Sequence, residues 1–349
     1  MLIRASIIGA SGYTGIELIR LLNNHPQVEI SCLISETYAN QEVATIYPHL
    51  QQIISHDFSS LDCQQIAAAS DVVFLALPHT KASPLAEQLL TKACKVIDLS
   101  ADLRLNQAQV YQHWYQHTPA PQTLLDQAIY GLAEIGLAKQ IAQASLVANP
   151  GCYPTASILA LAPALYNDVV NLTQALVIDA KSGVSGAGRG LNLTTHFCEA
   201  SNTFSAYQIA GLHRHIPEIE QELTKLAKQP VVVQFTPHLI PISRGLMATV
   251  YCPLKDKLSL AEITALYTDF YQEQSFIRID QNPRPNLKSV IGSNYCNLSL
   301  HLDERTNNLV IVSMIDNLLK GASGQAVQNM NLIYQLDPLV GLTNAPIYP

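Results

Sequence analysis

Cys152 has both the residue type and the setting of a nucleophile. It lies in NPGCYPT, between the run SLVA, which reads as a short strand, and the apolar helical run SILALAPAL. Pro154 suits the first turn of that helix, where its missing N–H costs little. A thiol at a helix start meets unpaired backbone N–H groups and the positive end of the helix dipole, and both favour thiolate over thiol. The chemistry this supports is attack on a carbonyl with formation of a thioester. A free cysteine is also commonly a small buried hydrophobe, so the assignment depends on what the rest of the chain supplies.

The stretch AGLHRHIPEI supplies two histidines beside a helix start. His213 and His215 share a side on extended backbone and diverge on a helix. No third metal ligand stands at a persuasive interval, so proton exchange near neutral pH is the better functional reading than metal coordination. Arg104 and Arg244 follow strand-like runs and are two of only 20 Lys and Arg residues. Each is a candidate to hold an anion, and Arg104 could equally be a surface or ion-pairing residue. His79, after the strand DVVFLAL, reads as a structural hydrogen-bonding residue or a cofactor contact.

These residues need elements to position them. Leu2–Ile8 reads as a buried first strand, followed by GASGYTG with glycines at 9, 12 and 15. Strand, glycine turn, helix and second strand VEISCLIS form a unit suited to a dinucleotide, whose pyrophosphate would approach the backbone at the helix start. At the end of the second strand Glu36 suits an unphosphorylated ribose, while Ser35 and Thr37 suit a 2′-phosphate. With no Lys or Arg adjoining them, NAD and NADP both remain open. The alternation continues through DVVFLAL and KVIDLS, which predicts an open parallel sheet covered on both faces. YQHWYQHTPAPQTLL breaks this rhythm and reads as a long excursion or flap. After the Cys152 helix, ALVIDAKSGVSGAGRG predicts a strand opening into a glycine-rich loop. NYCNLSLHLDERTNNLVIVSMIDN predicts two alternating strands joined by a polar turn. The last helix, in NLLKGASGQAVQNMNLIYQLD, is expected to return to the first domain and to bring Lys320 and Gly321 near the ligand.

The 349 residues suggest two domains. With 48% hydrophobic and 13% charged residues the chain can bury large cores. A formal net charge of −7 with no basic cluster argues against nucleic acid. Seven dispersed cysteines without a CxxC pair fit reduced intracellular thiols and no zinc site. Neither a signal peptide nor an uninterrupted membrane span is evident, so the expected location is the cytoplasm.

Seven motifs, in order along nearly the whole chain, resemble the N-acetyl-γ-glutamyl-phosphate reductase family, within the aspartate-semialdehyde dehydrogenase-like superfamily. They are GASGYTG (9–15), LSADLR (99–104), NPGCYPT (149–155), SGVSGAGR (182–189), AGLHRHIPEI (210–219), FTPHLIPISRG (235–245) and IDNLLKGASGQAVQNMN (315–331). The resemblance implies an α/β fold: a Rossmann-type parallel-sheet nucleotide domain plus an α+β catalytic domain with a mixed or largely antiparallel sheet. It places the nucleotide domain at 1–148 and 321–349, and the catalytic and oligomerisation domain at 149–320. It implies NADP(H)-dependent reductive dephosphorylation of N-acetyl-γ-glutamyl phosphate to the semialdehyde, in arginine biosynthesis, by a homo-oligomer, dimer or tetramer.

By the same resemblance Cys152 is the nucleophile and His213 the acid/base, with Arg104, Asn149 and Arg244 on the substrate. The cofactor would meet Gly9, Ser11, Gly12, Tyr13, Thr14, Gly15, Ser35, Thr37, Pro78, Lys81, Ser182, Gly183, Gly186 and Asn317. No metal, membrane or nucleic acid is implied. Two readings compete: an aspartate-semialdehyde dehydrogenase, and a non-catalytic nicotinamide-nucleotide sensor. One departure stands out. LPHTKA carries Thr80 and Lys81 where the family more often has glycine and an uncharged residue, and Lys81 offers a compensating bond to a cofactor phosphate.

Overall fold

The computed structural model describes residues 2–348 and divides into two compact units. The first runs from the N-terminal strand to Pro150 and takes in Ala322–Thr343. The second comprises Gly151–Gly321 and the stretch from Asn344. That last stretch was expected with the nucleotide domain; instead the Ile347 N–H donates to the carbonyl of Ile291, inside the second unit.

In the first unit, β1 (Ile3–Ile8), β2 (Val28–Ile34), β3 (Phe58–Ser59), β4 (Val72–Leu75), β5 (Lys95–Asp98), β6 (Ile129–Tyr130) and β7 (Leu146–Ala148) form one sheet. Its order is β3-β2-β1-β4-β5-β7-β6, and every pairing is parallel. The VVFL of β4 is buried at every position, as a central strand covered on both faces requires. The intervening helices are α1 (Tyr13–Asn23), α2 (Val43–Ile46), α3 (Cys63–Ala69), α4 (Ser83–Leu90), α5 (Ala108–Tyr115), α6 (Gln122–Gln127) and α7 (Ala138–Ala142). Strand order reverses between β1 and β4, and the carboxyl ends at such a switch point form the natural ligand crevice of an open α/β sheet.

The stretch expected as a flap is packed structure. Tyr111 and Tyr115 of α5 are buried and stack at 4.6 Å, against Ala101 and Leu105. The Tyr111 hydroxyl donates to Asp102 at 2.8 Å. The aromatic content that looked like an excursion is what glues α5 to the loop after β5.

The second unit opens with α8 (Cys152–Tyr166) and continues through β8 (Leu176–Gly183), α9 (Phe197–Ala200), β9 (Ser205–Ala206), α10 (Ile216–Ala227), β10 (Val233–Ile240) and β11 (Leu246–Pro253). Then come α11 (Leu260–Phe270), β12 (Ile277–Asp280), β13 (Cys296–Asp303) and β14 (Asn308–Ile315). The sheet order is β12-β13-β14-β11-β8-β10-β9. It is mixed: β8–β10 and β12–β13 are parallel and the rest antiparallel. The expected hairpin is β13–β14, with Cys296 opposite Ile315 and Asp303 opposite Asn308.

Helix α8 is buried from Tyr153 through Leu165. Its internal Pro163 has no N–H to give the carbonyl of Leu159. The hydroxyl of Tyr271 donates to that carbonyl instead, at 2.7 Å. The orphaned acceptor is thereby satisfied in a place water does not reach.

After β14 the chain makes a π-helical turn, Leu319–Ser323, and enters α12 (Gly324–Ile333) of the first unit. Ser323 Oγ donates to the carbonyl of Thr14 at 2.9 Å. Asn329 Nδ2 donates to the carbonyl of Gly131 and to Asn149 Oδ1, each at 2.9 Å. The buried amides of α12 thus bind backbone and loops, which is why so polar a helix can lie inside.

Candidate active site

In the first unit, Gly9 (φ +88°) and Gly15 admit no side chain. A Cβ would stand 2.2 Å from the Ala76 carbonyl oxygen in the first case and 2.5 Å from the Gly9 oxygen in the second. Gly12 is the N-cap of α1, with no side-chain cap and no acidic residue in the first turn. A Cβ there would meet nothing closer than 3.6 Å. Gly9 therefore brings the turn tight against the end of β4, Gly15 lets α1 pack on the turn itself, and Gly12 leaves the positive end of α1 uncrowded. That arrangement fits a dinucleotide pyrophosphate.

Around this turn, Ser11 Oγ bonds to Ser35 Oγ at 2.7 Å, and the Tyr47 hydroxyl donates to the Ser11 carbonyl at 2.6 Å. Glu36 Oε1 accepts the Leu61 N–H at 2.8 Å, so its carboxylate serves the next loop. Tyr13, Thr37, Pro78 and Lys81 are exposed. Thr80 has φ +76°, the left-handed region that glycine enters freely and a β-branched residue does not. Asp102 holds that backbone. It accepts the N–H groups of Thr80 (2.6 Å), Ala82 (3.0 Å) and Ser83 (3.3 Å) as well as the Tyr111 hydroxyl. His79 Nδ1 accepts the Ala101 N–H at 3.0 Å, which is the structural use of that ring.

Arg104 and Asn149 were expected on the substrate. Arg104 is buried, with Nε donating to the Asn149 carbonyl and Nη2 to the Leu99 carbonyl, both at 2.8 Å. Asn149 donates through Nδ2 to the Ala322 carbonyl and accepts from Asn329 through Oδ1. Both side chains tie the loops after β5 and β7. Beneath them, burial pushes the Asp98 carboxyl up to about 7, helped by the negative charge of Asp102 and opposed by hydrogen bonds from Ser100 and the charge of Arg104.

In the second unit, Cys152 is the first residue of α8, with Gly151 as N-cap. Gly321 packs directly on it: a Cβ at 321 would stand 2.7 Å from the Cys152 Cβ. A π turn, a form that recurs at functional sites, therefore lies against Cys152. Lys320, expected beside the ligand, is instead fully buried, its Nζ 5.3 Å from the Phe276 ring centroid.

His213 Nδ1 accepts the His215 N–H at 3.1 Å, which leaves the proton of the neutral ring on Nε2. The rings of His215, Phe235, Tyr153 and Tyr207 surround it at 4.9, 5.2, 5.6 and 5.6 Å. Burial, with a smaller push from Arg214, lowers His213 to about 4, so the imidazole is neutral at pH 7. Tyr207 touches His213 and donates to the Tyr153 hydroxyl at 3.3 Å. Burial first, and then the charge on Cys152, hold Tyr207 up at about 12. Tyr207 thus adjoins His213 and bonds to the residue after Cys152, and neither it nor Tyr153 stood out in the sequence. The only signal was an aromatic residue six positions before His213.

The loop residues of this unit also converge. Gly183 N–H donates to the Gly245 carbonyl at 2.9 Å, and a Cβ on Gly183 would stand 2.9 Å from Arg244 N. Asn317 accepts the Gly245 N–H at 2.7 Å and donates to Ser185 Oγ at 2.9 Å. Ser182 is buried and Gly186 exposed. Arg244 pairs with buried Asp316 through Nε (3.1 Å) and Nη2 (3.2 Å), and its side chain stays 23% exposed. Among the described residues no group of three or more His, Cys, Asp and Glu side chains could hold a metal ion, and no helix is long and apolar enough to cross a membrane.

Over 349 residues, all of both chains, the sequence is 48% identical to N-acetyl-gamma-glutamyl-phosphate reductase of Desulforamulus reducens. The chain belongs to that family. The corresponding enzyme of Symbiobacterium thermophilum is also 48% identical over the full length of both chains. Two family profiles match, semialdehyde dehydrogenase NAD binding domain over residues 4–144 and semialdehyde dehydrogenase dimerisation domain over residues 152–317. Among solved structures, aspartate semialdehyde dehydrogenase II of Vibrio cholerae superposes with a TM-score of 0.70 at 15% identity, covering 96% of this chain and 99% of that one. A probable aspartate-semialdehyde dehydrogenase of Pseudomonas aeruginosa gives 0.71 at 17%, with the same coverage. At those identities the shared feature is the fold: a Rossmann domain followed by a mixed-sheet domain.

Proposed function

We propose that this chain catalyses the NADPH-dependent reductive dephosphorylation of N-acetyl-γ-glutamyl phosphate to N-acetylglutamate 5-semialdehyde, the third step of arginine biosynthesis, as a homo-oligomer. The observation that carries the reading is Cys152 at the first position of α8, in a chain nearly half identical, end to end, to reductases of that name.

The start of α8 favours the Cys152 thiolate. The thiolate attacks the acyl carbon, the carbon–oxygen bond to phosphate breaks, and phosphate leaves a thioester on Cys152. The dinucleotide, when bound, supplies the hydride that reduces this thioester. The residues that would hold it are Gly9, Ser11, Gly12, Tyr13, Thr14, Gly15, Ser35, Thr37, Pro78 and Lys81 in the first unit and Ser182, Gly183, Gly186 and Asn317 in the second, with the pyrophosphate at Gly9–Gly15. His213 acts as a neutral hydrogen-bond donor: its Nε2–H holds the oxygen that gains charge as hydride reaches the thioester carbon, and keeps its proton. The oxyanion then re-forms the carbonyl as the carbon–sulfur bond breaks, which releases the aldehyde and the Cys152 thiolate. Arg244, with part of its guanidinium exposed, is the cation of the second unit proposed to meet a substrate anion, while Arg104 and Asn149 shape the loops after β5 and β7 in the first.

The test is phosphate-dependent NADP+ reduction with N-acetylglutamate semialdehyde, run beside aspartate semialdehyde and beside NAD+. Turnover of the acetylated substrate is expected. Preference for aspartate semialdehyde would overturn the substrate, and nucleotide binding without turnover of either would overturn the enzyme reading.

A further inference from the structure

We infer that Glu218 is a positioning residue for Cys152. Glu218 is 1% exposed and is the third residue of α10, which begins just after the His213–His215 turn. The Ile216 N–H donates to the His213 carbonyl, and the Ile219 N–H to the His215 carbonyl, each at 3.0 Å. A glutamate three residues into a helix ordinarily reaches back to the N–H of its own N-cap. Here the N-cap is His215, whose N–H donates to His213 Nδ1, and Glu218 Oε1 accepts the N–H of Gly151 at 2.9 Å. Gly151 is the N-cap of α8, immediately before Cys152.

A buried carboxylate is costly unless its acceptors are used, so this one is a deliberate link. It joins the turn that carries His213 to the turn that carries the nucleophile. Two consequences follow. The Gly151–Cys152 peptide is fixed relative to His213, and a displacement of about 1 Å at such a point costs on the order of 10²-fold in rate. A negative charge is also set beside the helix start where the thiolate forms, which makes the thiol harder to ionise and its thiolate a stronger nucleophile.

The experiment compares Glu218→Gln and Glu218→Ala with wild type. It measures kcat and KM, and the pH dependence of Cys152 alkylation by iodoacetamide, read by mass spectrometry on the Cys152 peptide. Alanine should lower kcat about 100-fold with the cofactor KM unchanged. Glutamine keeps an oxygen for the Gly151 N–H and should stay within about tenfold of wild type. In both variants the alkylation midpoint should move to lower pH, by about one unit. An unmoved midpoint in Glu218→Gln, or an alanine variant within threefold of wild-type kcat, overturns the inference. If alanine unfolds the chain, the glutamine midpoint decides. The turnover arm rests on the reductase reading and the alkylation arm does not, so a wrong substrate would silence only the first.

Discussion

At the carboxyl ends of β4, β5 and β7, charged and polar side chains are consumed by backbone: Asp102 takes three N–H groups, Arg104 two carbonyls, Asn149 a carbonyl and an amide. Around His213, in the other unit, the neighbours are rings, and its Nδ1 is engaged while Nε2 carries the proton. The first cluster buys loop shape. The second surrounds its reactive groups with low-dielectric walls, where a single proton or charge has its largest effect. The difference separates buried polar side chains that hold loops from a buried imidazole whose proton is caged by rings.

Substitutions that respect shape should therefore divide the clusters. Cys152→Ser is the largest expected effect, because serine at this helix start lacks an activating base: turnover should fall on the order of 10⁴-fold or more, with NADP(H) binding retained. Comparable turnover in a folded variant would remove Cys152 as nucleophile. His213→Asn comes next, with a loss of ~10²–10⁴-fold in single-turnover rate. His215→Asn should cost much less, since the contact given to His213 comes from the His215 backbone N–H. In wild type the acid limb should follow protonation of His213, which falls on Nδ1 and breaks the bond from the His215 N–H that orients the ring, so activity holds as pH falls through 6 and is lost toward about 4. Equal losses in the two variants would show that the ring cage, and not the His213 proton, carries the effect.

The clusters also titrate in opposite directions. Asp98 is raised from its ordinary value to about 7, first by burial and then by Asp102. The folded state therefore holds a proton that the unfolded chain loses between pH 4 and 7, and stability falls as pH rises through that window. His213 is lowered to about 4, so the unfolded chain binds the extra proton, and stability rises from about pH 4 to 6.5. Each contribution is on the order of 3–4 kcal/mol at its limit, and over most of the shared window they oppose each other. Asp98→Asn is nearly isosteric and can keep both bonds to Ser100, so it should remove one side of this balance. Calorimetry should show the variant gaining Tm above pH 7 by several degrees, with a steeper loss of stability in acid. An unchanged pH dependence would mean that Asp98 is ionised in the folded protein.

How far these clusters could be read beforehand depends on the range of the interaction. The β1–glycine turn–α1 unit, the β13–β14 hairpin and the Cys152 helix are set by neighbours in sequence, through period, glycine and proline, and all three were legible. Asp102 and Glu218 were not, because their partners lie 19–22 and 67 residues away and nothing local distinguishes a bonding carboxylate from a surface one. Tyr111 misled for the same reason: read locally it belongs to a polar excursion, and only its stacking on Tyr115 and its bond to Asp102 make α5 part of a core.

The smallest effect probes the shaping cluster at its one strained point. Thr80 at φ +76° bears a steric cost of roughly 1–2 kcal/mol that glycine would not. Glycine in turn loses more chain entropy on folding, roughly 0.5–1 kcal/mol. Thr80→Gly should therefore gain about 0.5–1 kcal/mol, or ~1–3 °C in Tm. The N–H bond to Asp102 at 2.6 Å depends on backbone and not on the side chain, so the loop should keep its shape and the NADP(H) KM should stay within about twofold. A fall in Tm would mean that the threonine side chain contributes more than its strain costs. A raised KM with higher Tm would mean that the loop's conformation is set by residue 80 and not by Asp102, and Lys81 on its exposed side would then be the next position to vary.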